Sequence, residues 1–153
     1  MSKKRGAVIE NRKARFDYEI LDIYEAGLEL KGSEVKSIRA GKASIKEAFC
    51  RIMKGEAWLF DMHIARYENS DIRLAPDEKR TRRLLLHKKE IARISERMKL
   101  ESLAFVPLKV YFNAKNRAKV QMALGKGKKQ HDKRESIKER DSKVELQRAL
   151  KRG

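Results

Sequence analysis

The chain has little of what several protein classes require. A single cysteine, Cys50, excludes an internal disulfide and a cysteine-based metal site. It lies in a strand-like run, where a lone thiol behaves as a small buried hydrophobe, and a reduced compartment fits it. No apolar run approaches the roughly 18 residues a spanning helix needs, and Met1 to Gly6 lacks a signal peptide's apolar stretch. A membrane partner is therefore not expected, and the expected location is the cytoplasm. No P-loop, zinc-ligand spacing, serine or cysteine triad or internal repeat is present, so neither a cofactor nor catalytic chemistry is expected. Acids are scarce beside bases: 22 Asp and Glu stand against 39 Lys and Arg, a net charge of +17. That excess directs the chain to nucleic acid or another polyanion.

What is present suits one domain and a tail within 153 residues, with 41% apolar and 40% charged residues for a modest core under a very charged surface. Alternation dominates as far as residue 125. Phe16 to Leu30 reads as one long strand in which Leu21, Asp22 and Ile23 break parity, the mark of a bulge or of apolar cover on both faces. Gly27 is a second candidate bend. Long bent strands are typical of small closed barrels. Gly32 to Gly41 reads as a short helix, with Ser33 as cap, Glu34 at the positive N-terminal end, Val35 and Ile38 inward, and Lys36 and Arg39 outward. Ala43 to Met53 and Glu56 to Ala65 flank the hairpin signal Lys54-Gly55. Asp61 and His63 share a parity, but no nucleophile or third ligand lies near, so a structural role is assigned.

Arg66 to Lys79 is a long polar loop, and Arg80-Thr81-Arg82-Arg83 then enters Leu84-Leu85-Leu86. His87 to Leu100 carries Ile91, Ile94 and Met98 at helical spacing, with His87 at the helix start. Phe105 to Phe112 and Ala118 to Leu124 form a second hairpin pattern, and Pro107 argues for an edge or strand start. Near the N-terminus, Asn11-Arg12-Lys13-Ala14-Arg15 reads equally as a solvated lead-in and as a phosphate clamp. Glu25 reads as a solvated carboxylate or as an acceptor for exocyclic base amines.

After Gly127 the chain has no proline, no Phe, Tyr or Trp and no glycine until Gly153. Such a segment cannot offset its own ordering entropy. Its charges nevertheless keep helical spacing: Glu135 with Lys138, Glu139 with Lys143, and Glu145 with Arg148. The expectation is a tail, residues 126–153, that is loose alone and helical on a polyanion, joined to a domain spanning residues 1–125.

Three sets of residues, in this order, are more specific than any one of them. The first is Asn11-Arg12-Lys13-Ala14-Arg15 with Tyr24-Glu25-Ala26-Gly27-Leu28 and Gly32-Ser33-Glu34-Val35-Lys36-Ser37-Ile38-Arg39. The second is Arg80-Thr81-Arg82-Arg83-Leu84-Leu85-Leu86-His87. The third is Lys126-Gly127-Lys128-Lys129-Gln130-His131-Asp132-Lys133-Arg134. From about residue 7 onward the chain closely resembles the small protein B family, the SsrA-binding proteins of bacterial trans-translation.

The resemblance implies a mainly β fold with added helices: an oligonucleotide-binding-like closed barrel of about six strands with two or three peripheral helices. It implies a monomer that binds the tRNA-like domain of transfer-messenger RNA (tmRNA, SsrA RNA). It also implies delivery of that RNA to stalled ribosomes, indirectly with elongation factor Tu on the alanyl-tmRNA. Asn11, Glu25 and Leu85 fall at RNA-contacting family positions, and Arg12, Lys13, Arg15, Lys36, Arg80 and Arg82 complete the expected RNA-binding set. Lys126, Gly127, Lys128, Lys129, His131, Asp132, Lys133 and Arg134 are expected to act in the small-subunit decoding centre and the empty mRNA channel, with His131 at a position that stacks on RNA. Family members often carry Asp-Pro one residue before Arg-Thr-Arg, whereas Asp77-Glu78-Lys79 follows Pro76 here. The rival reading is a general oligonucleotide-binding-fold RNA chaperone or ribosome-associated RNA-binding protein. A nuclease built on Glu25, Asp61 and His63 would need a metal-binding carboxylate cluster that the sequence does not supply.

Overall fold

The computed structural model describes residues 8–66 and 76–128. Twelve elements follow one another there. They are β1 (Ile9–Glu10), α1 (Arg12–Asp17), β2 (Tyr18–Leu28), α2 (Gly32–Arg39), β3 (Ala43–Ser44), β4 (Phe49–Met53), β5 (Glu56–Phe60), β6 (His63–Ile64), β7 (Arg82–Leu85), α3 (Lys88–Glu101), β8 (Leu103–Phe112) and β9 (Ala118–Gly127). Seven strands pair antiparallel in the order β1-β8-β9-β2-β7-β5-β4, and β3 pairs with β6 in a small second sheet.

The frame is the three-strand set β2-β9-β8, whose long ladders follow from the alternation read in the sequence. Val110, Phe112, Val120, Met122 and Leu124 turn inward with Ala26 and Leu28, and all are buried. Ile91 and Ile94 of α3 and Ile38 of α2 complete that core. His87 does open α3: its N–H donates to Glu90 Oε1 at 3.1 Å. The parity break in β2 is a bulge, with the register slipping between Ile20 and Asp22.

Closure is the point of correction. The sheet has seven strands and no backbone ladder joins its ends β1 and β4 among the described residues. The reason lies on β8. Its outer edge is taken by β1 at Lys109 and Val110, and by Asn11, whose N–H donates to Leu108 O at 2.8 Å. Pro107 has no N–H to offer, and its carbonyl accepts from Asn11 Nδ2 at 3.2 Å. The sheet still curls, since β4 lies beside β8 and Phe49 packs on the cluster of Ala14, Val106, Leu108 and Ala123.

Three local readings also change. Phe16 belongs to α1, so the strand starts at Tyr18. The long strand expected over residues 56–65 breaks at Asp61, whose φ is +60°, so Asp61 lies in the bend between β5 and β6 while His63 opens β6. His63 Nε2 instead meets Glu78 Oε1 at 3.0 Å. Cys50 is buried, and burial pushes its thiol up to about 12, so it is inert at neutral pH. Within the expected loop 66–79, residues 67–75 lie outside the described part, as does the tail from residue 129.

Candidate nucleic-acid interface

The outward face of the sheet is built in rows, because residues opposite one another on neighbouring strands share a face. One row runs Tyr111, Lys119, Gly27, Leu85 across β8, β9, β2 and β7. The adjoining row is Lys109, Gln121, Glu25. The Tyr111 hydroxyl donates to Glu25 Oε2, linking the two rows. Glu25 is exposed, so the carboxylate is anchored on one side and open to solvent on the other. An exposed carboxylate held this way can accept from exocyclic base amines.

Leu85 is 48% exposed, while its neighbour Leu84 is buried. Gly27 explains its posture. A Cβ on Gly27 would stand 3.2 Å from Leu85 Cβ and 3.3 Å from Cδ1, so glycine leaves room for the leucine to lie over the strand, and any side chain there would press on it. Leu85 separates two clefts. One, of about 440 Å³, has Glu25, Arg83, His87 and Lys119 in its walls. The other, of about 340 Å³, has Leu30, Val35, Phe112 and Arg117. Arg83 donates to Glu56 Oε1 at 2.9 Å and so is braced at the rim.

Beside the Glu25 row lies α1. Its inward residue, Ala14, is buried against the sheet, while Arg12, Lys13 and Arg15 are exposed. Arg12 and Arg15 share a cleft of about 270 Å³ with Lys109 and Gln121. The helix exists because Asn11 caps it: Oδ1 accepts from Ala14 N at 3.2 Å. Both amide hydrogens of Asn11 are spent on Ile45 O and Pro107 O, each at 3.2 Å, and the residue is buried. Asn11 thus ties α1 to the β3–β4 connection and to β8. Replacing it with alanine should cost about 1–3 kcal/mol of stability, measured by denaturant unfolding. Full stability with lost RNA binding would instead make Asn11 a direct contact.

Arg80 and Arg82, expected in the same set, are elsewhere. The Arg82 side chain has 0% exposure. Its Nε and Nη2 meet Glu34 Oε2 at 2.9 and 2.7 Å, and Nη1 donates to Met62 O at 2.7 Å. Arg80 grips the same carboxylate, from Nε at 2.9 Å and Nη2 at 2.7 Å. Glu34 Oε1 also accepts from Lys31 N at 2.9 Å, so this acid holds the start of α2 and the entry to β7 together. Sequence spacing hid the pairing, since the arginines follow Glu34 by 46 and 48 residues. Lys36 is exposed on α2, and Arg39 lies 4.4 Å above the Phe112 ring.

Of the expected tail set, Lys126 and Gly127 are strand residues of β9, opposite Glu19 and Tyr18. Lys128 N donates to Asp17 O at 3.0 Å. Lys129, His131, Asp132, Lys133 and Arg134 lie outside the described residues. Tyr111, Lys119, Lys109 and Gln121 were not singled out from sequence. The alternation of the last hairpin does put them all on the outward parity. Among the described residues no group of three or more His, Cys, Asp or Glu could hold a metal ion, and no helix is long and apolar enough to cross a membrane.

A carboxylate tethered by a tyrosine, a propped leucine between clefts and a cationic helix on one face define a polyanion-binding β protein. Comparison with known proteins narrows that class. The model of the SmpB protein family matches residues 8–152. The SsrA-binding protein of Chlorobaculum tepidum is 50% identical, covering 99% of each chain. That of Helicobacter hepaticus is 52% identical over 87% of this chain and 86% of its own. A solved structure described as "tmRNA-SmpB: a journey to the center of the bacterial ribosome" contains a chain 46% identical to this one. It superposes with a TM-score of 0.69 over 85% of this chain and 94% of that one. The chain belongs to the SmpB family.

Proposed function

We propose that this chain binds the tRNA-like domain of tmRNA and brings it to stalled ribosomes for trans-translation, as a binding protein and not an enzyme. The observation that carries the reading is the family match over residues 8–152, which spans both the Glu25–Leu85 face and the tail motif. On this reading the curled sheet is an oligonucleotide-binding-like barrel whose seam is filled by side chains. Its outward face grips the RNA elbow and an unpaired loop, by shape, by apolar contact at Leu85 and by a base-amine contact at Glu25. The cations of α1 and Lys119 hold phosphates and make binding steeply salt-dependent. Elongation factor Tu travels on the aminoacylated RNA, the protein acts as a monomer, and the work is done in the cytoplasm.

The deciding experiment is a titration of the isolated tRNA-like domain. Glu25→Ala should weaken binding by about tenfold, the value of one good polar base contact. Equal affinities would remove Glu25 from the interface.

The segment from Lys129 to Gly153 is proposed to probe the mRNA channel and decoding centre, coiling once ribosomal phosphates neutralise it. A clean truncation falls after Lys128, because cutting at Lys126 would remove two residues of β9. Such a truncation should leave affinity for the tRNA-like domain nearly unchanged and abolish peptide tagging. Loss of RNA affinity on truncation would place the main RNA contact in the tail.

A further inference from the structure

A second outward surface lies on the β4–β5 hairpin. Phe49 and Phe60 face each other across the two strands, with ring centroids 5.4 Å apart and planes 9° apart. One step along the same face, Arg51 is opposite Trp58, the chain's sole tryptophan. The Arg51 guanidinium carbon lies 5.4 Å from the Phe49 centroid and 5.7 Å from that of Phe60. Arg51 is exposed, and no carboxylate lies within ion-pair distance of it among the described residues. The stacked rings and the cation over them hold one another in place and leave a planar, cationic platform toward solvent. Three large rings are left half-buried on an outward face, and a cation is held over them without a counter-charge.

Cations flank the rings on both sides. Phe49 forms one wall of a cleft of about 220 Å³ that also holds Lys13 and Lys46 together with the acids Asp17 and Glu47. On the other side Trp58 is opposite Arg83, which borders the Leu85 cleft. Planar rings, a planar guanidinium and nearby ammonium groups match the chemistry of an unpaired nucleotide: a base to stack and phosphates to neutralise. A duplex offers no free base face and fits this surface poorly.

We propose that the outward face of β4–β5, centred on Arg51, is a second RNA site that takes unpaired nucleotides, separate from the Glu25–Leu85 face. A base stacks on the Arg51 guanidinium and the exposed parts of Phe60 and Trp58, and Lys46 meets the adjoining phosphate.

The test uses the full chain and three probes: a short single-stranded oligouridylate, a duplex RNA of equal length, and the tRNA-like domain. Arg51→Ala and Arg51→Lys should both weaken single-strand binding by about tenfold, since lysine keeps the charge and loses the plane. Both should bind the duplex and the tRNA-like domain as wild type does. Glu25→Ala should weaken the tRNA-like domain alone and leave the oligouridylate and the duplex unchanged, so failure of one site is told apart from failure of the other. Wild-type single-strand affinity in Arg51→Lys would reduce the surface to a charge patch and overturn the proposal. Unchanged affinity of Arg51→Ala for every RNA would assign the patch to a protein partner and overturn it equally.

Discussion

Glu34→Gln should destabilise the fold by about 3–5 kcal/mol, the cost of removing one partner from a buried ion pair. The glutamine is nearly isosteric, so lost volume is not the cause. Arg82 keeps its charge in a site with no solvent, and one of the two oxygens that receive the arginines becomes an NH2 group that cannot accept from them. The acid also anchors the first turn of α2 through Lys31 N. Equilibrium denaturation measures the loss directly. Affinity for the tRNA-like domain, expressed per folded molecule, should hardly move, because neither the acid nor Arg82 reaches the surface.

The same carboxylate sets an acid limit. Burial alone would raise its pKa, but hydrogen bonds from Arg80, from Lys31 N and from Arg82 outweigh burial and hold it below the ordinary 4.5. A pKa lower in the folded state than in the unfolded one gives stability that is complete above the unfolded value. That contribution is lost as pH falls through the folded value. The native chain should therefore lose stability below about pH 4.5, and Glu34→Gln, already deprived of it, should show a shallower acid slope in the same window.

Gly27→Val should weaken RNA binding and leave the core intact. The new side chain must displace Leu85, whose Cβ lies 3.2 Å from where the valine Cβ would stand. Leu85 then no longer stands between its two clefts. Leu85→Ala removes the same contact by truncation. Fully burying a leucine is worth about 1.5–3 kcal/mol, and binding can bury only the exposed half of Leu85, so each variant should bind the tRNA-like domain roughly three- to tenfold more weakly. Leu85 is half exposed in the free protein, so Leu85→Ala should leave thermal stability nearly unchanged. A large fall in its melting temperature would mean the leucine serves the fold instead.

Periodic parts of this fold are visible in the sequence, and parts held by single side chains are not. The three long strands and α3 announce themselves because each carries a run of apolar residues at its own period, although β8 and β9 also bury Val106, Leu108 and Ala123 on the second face. The bulge in β2 shows because Leu21-Asp22-Ile23 breaks that regularity, and the structure slips register there. By contrast, α1 presents one apolar residue on its buried side, Ala14, within a run of cations, so no period betrays it. Its existence depends on Asn11, whose partners Ile45 and Pro107 lie 34 and 96 residues away. Arginines read as RNA ligands divide by the same logic. Those of α1 are exposed, whereas Arg82 is drawn inward by an acid that no local pattern connects to it. The open sheet follows likewise from one asparagine and one proline occupying the edge of β8 that a closing strand would need.

Titrating isotopically labelled protein with the tRNA-like domain, with amide resonances followed by NMR, tests the assignment of the RNA face most directly. Amides of Glu25 to Gly27, Leu85, Lys119 and α1 should shift together at stoichiometric RNA, while those of Glu34 and the Arg80–Arg82 entry stay still. Shifts concentrated around Glu34, Arg80 and Arg82, with the Leu85 row unmoved, would contradict it.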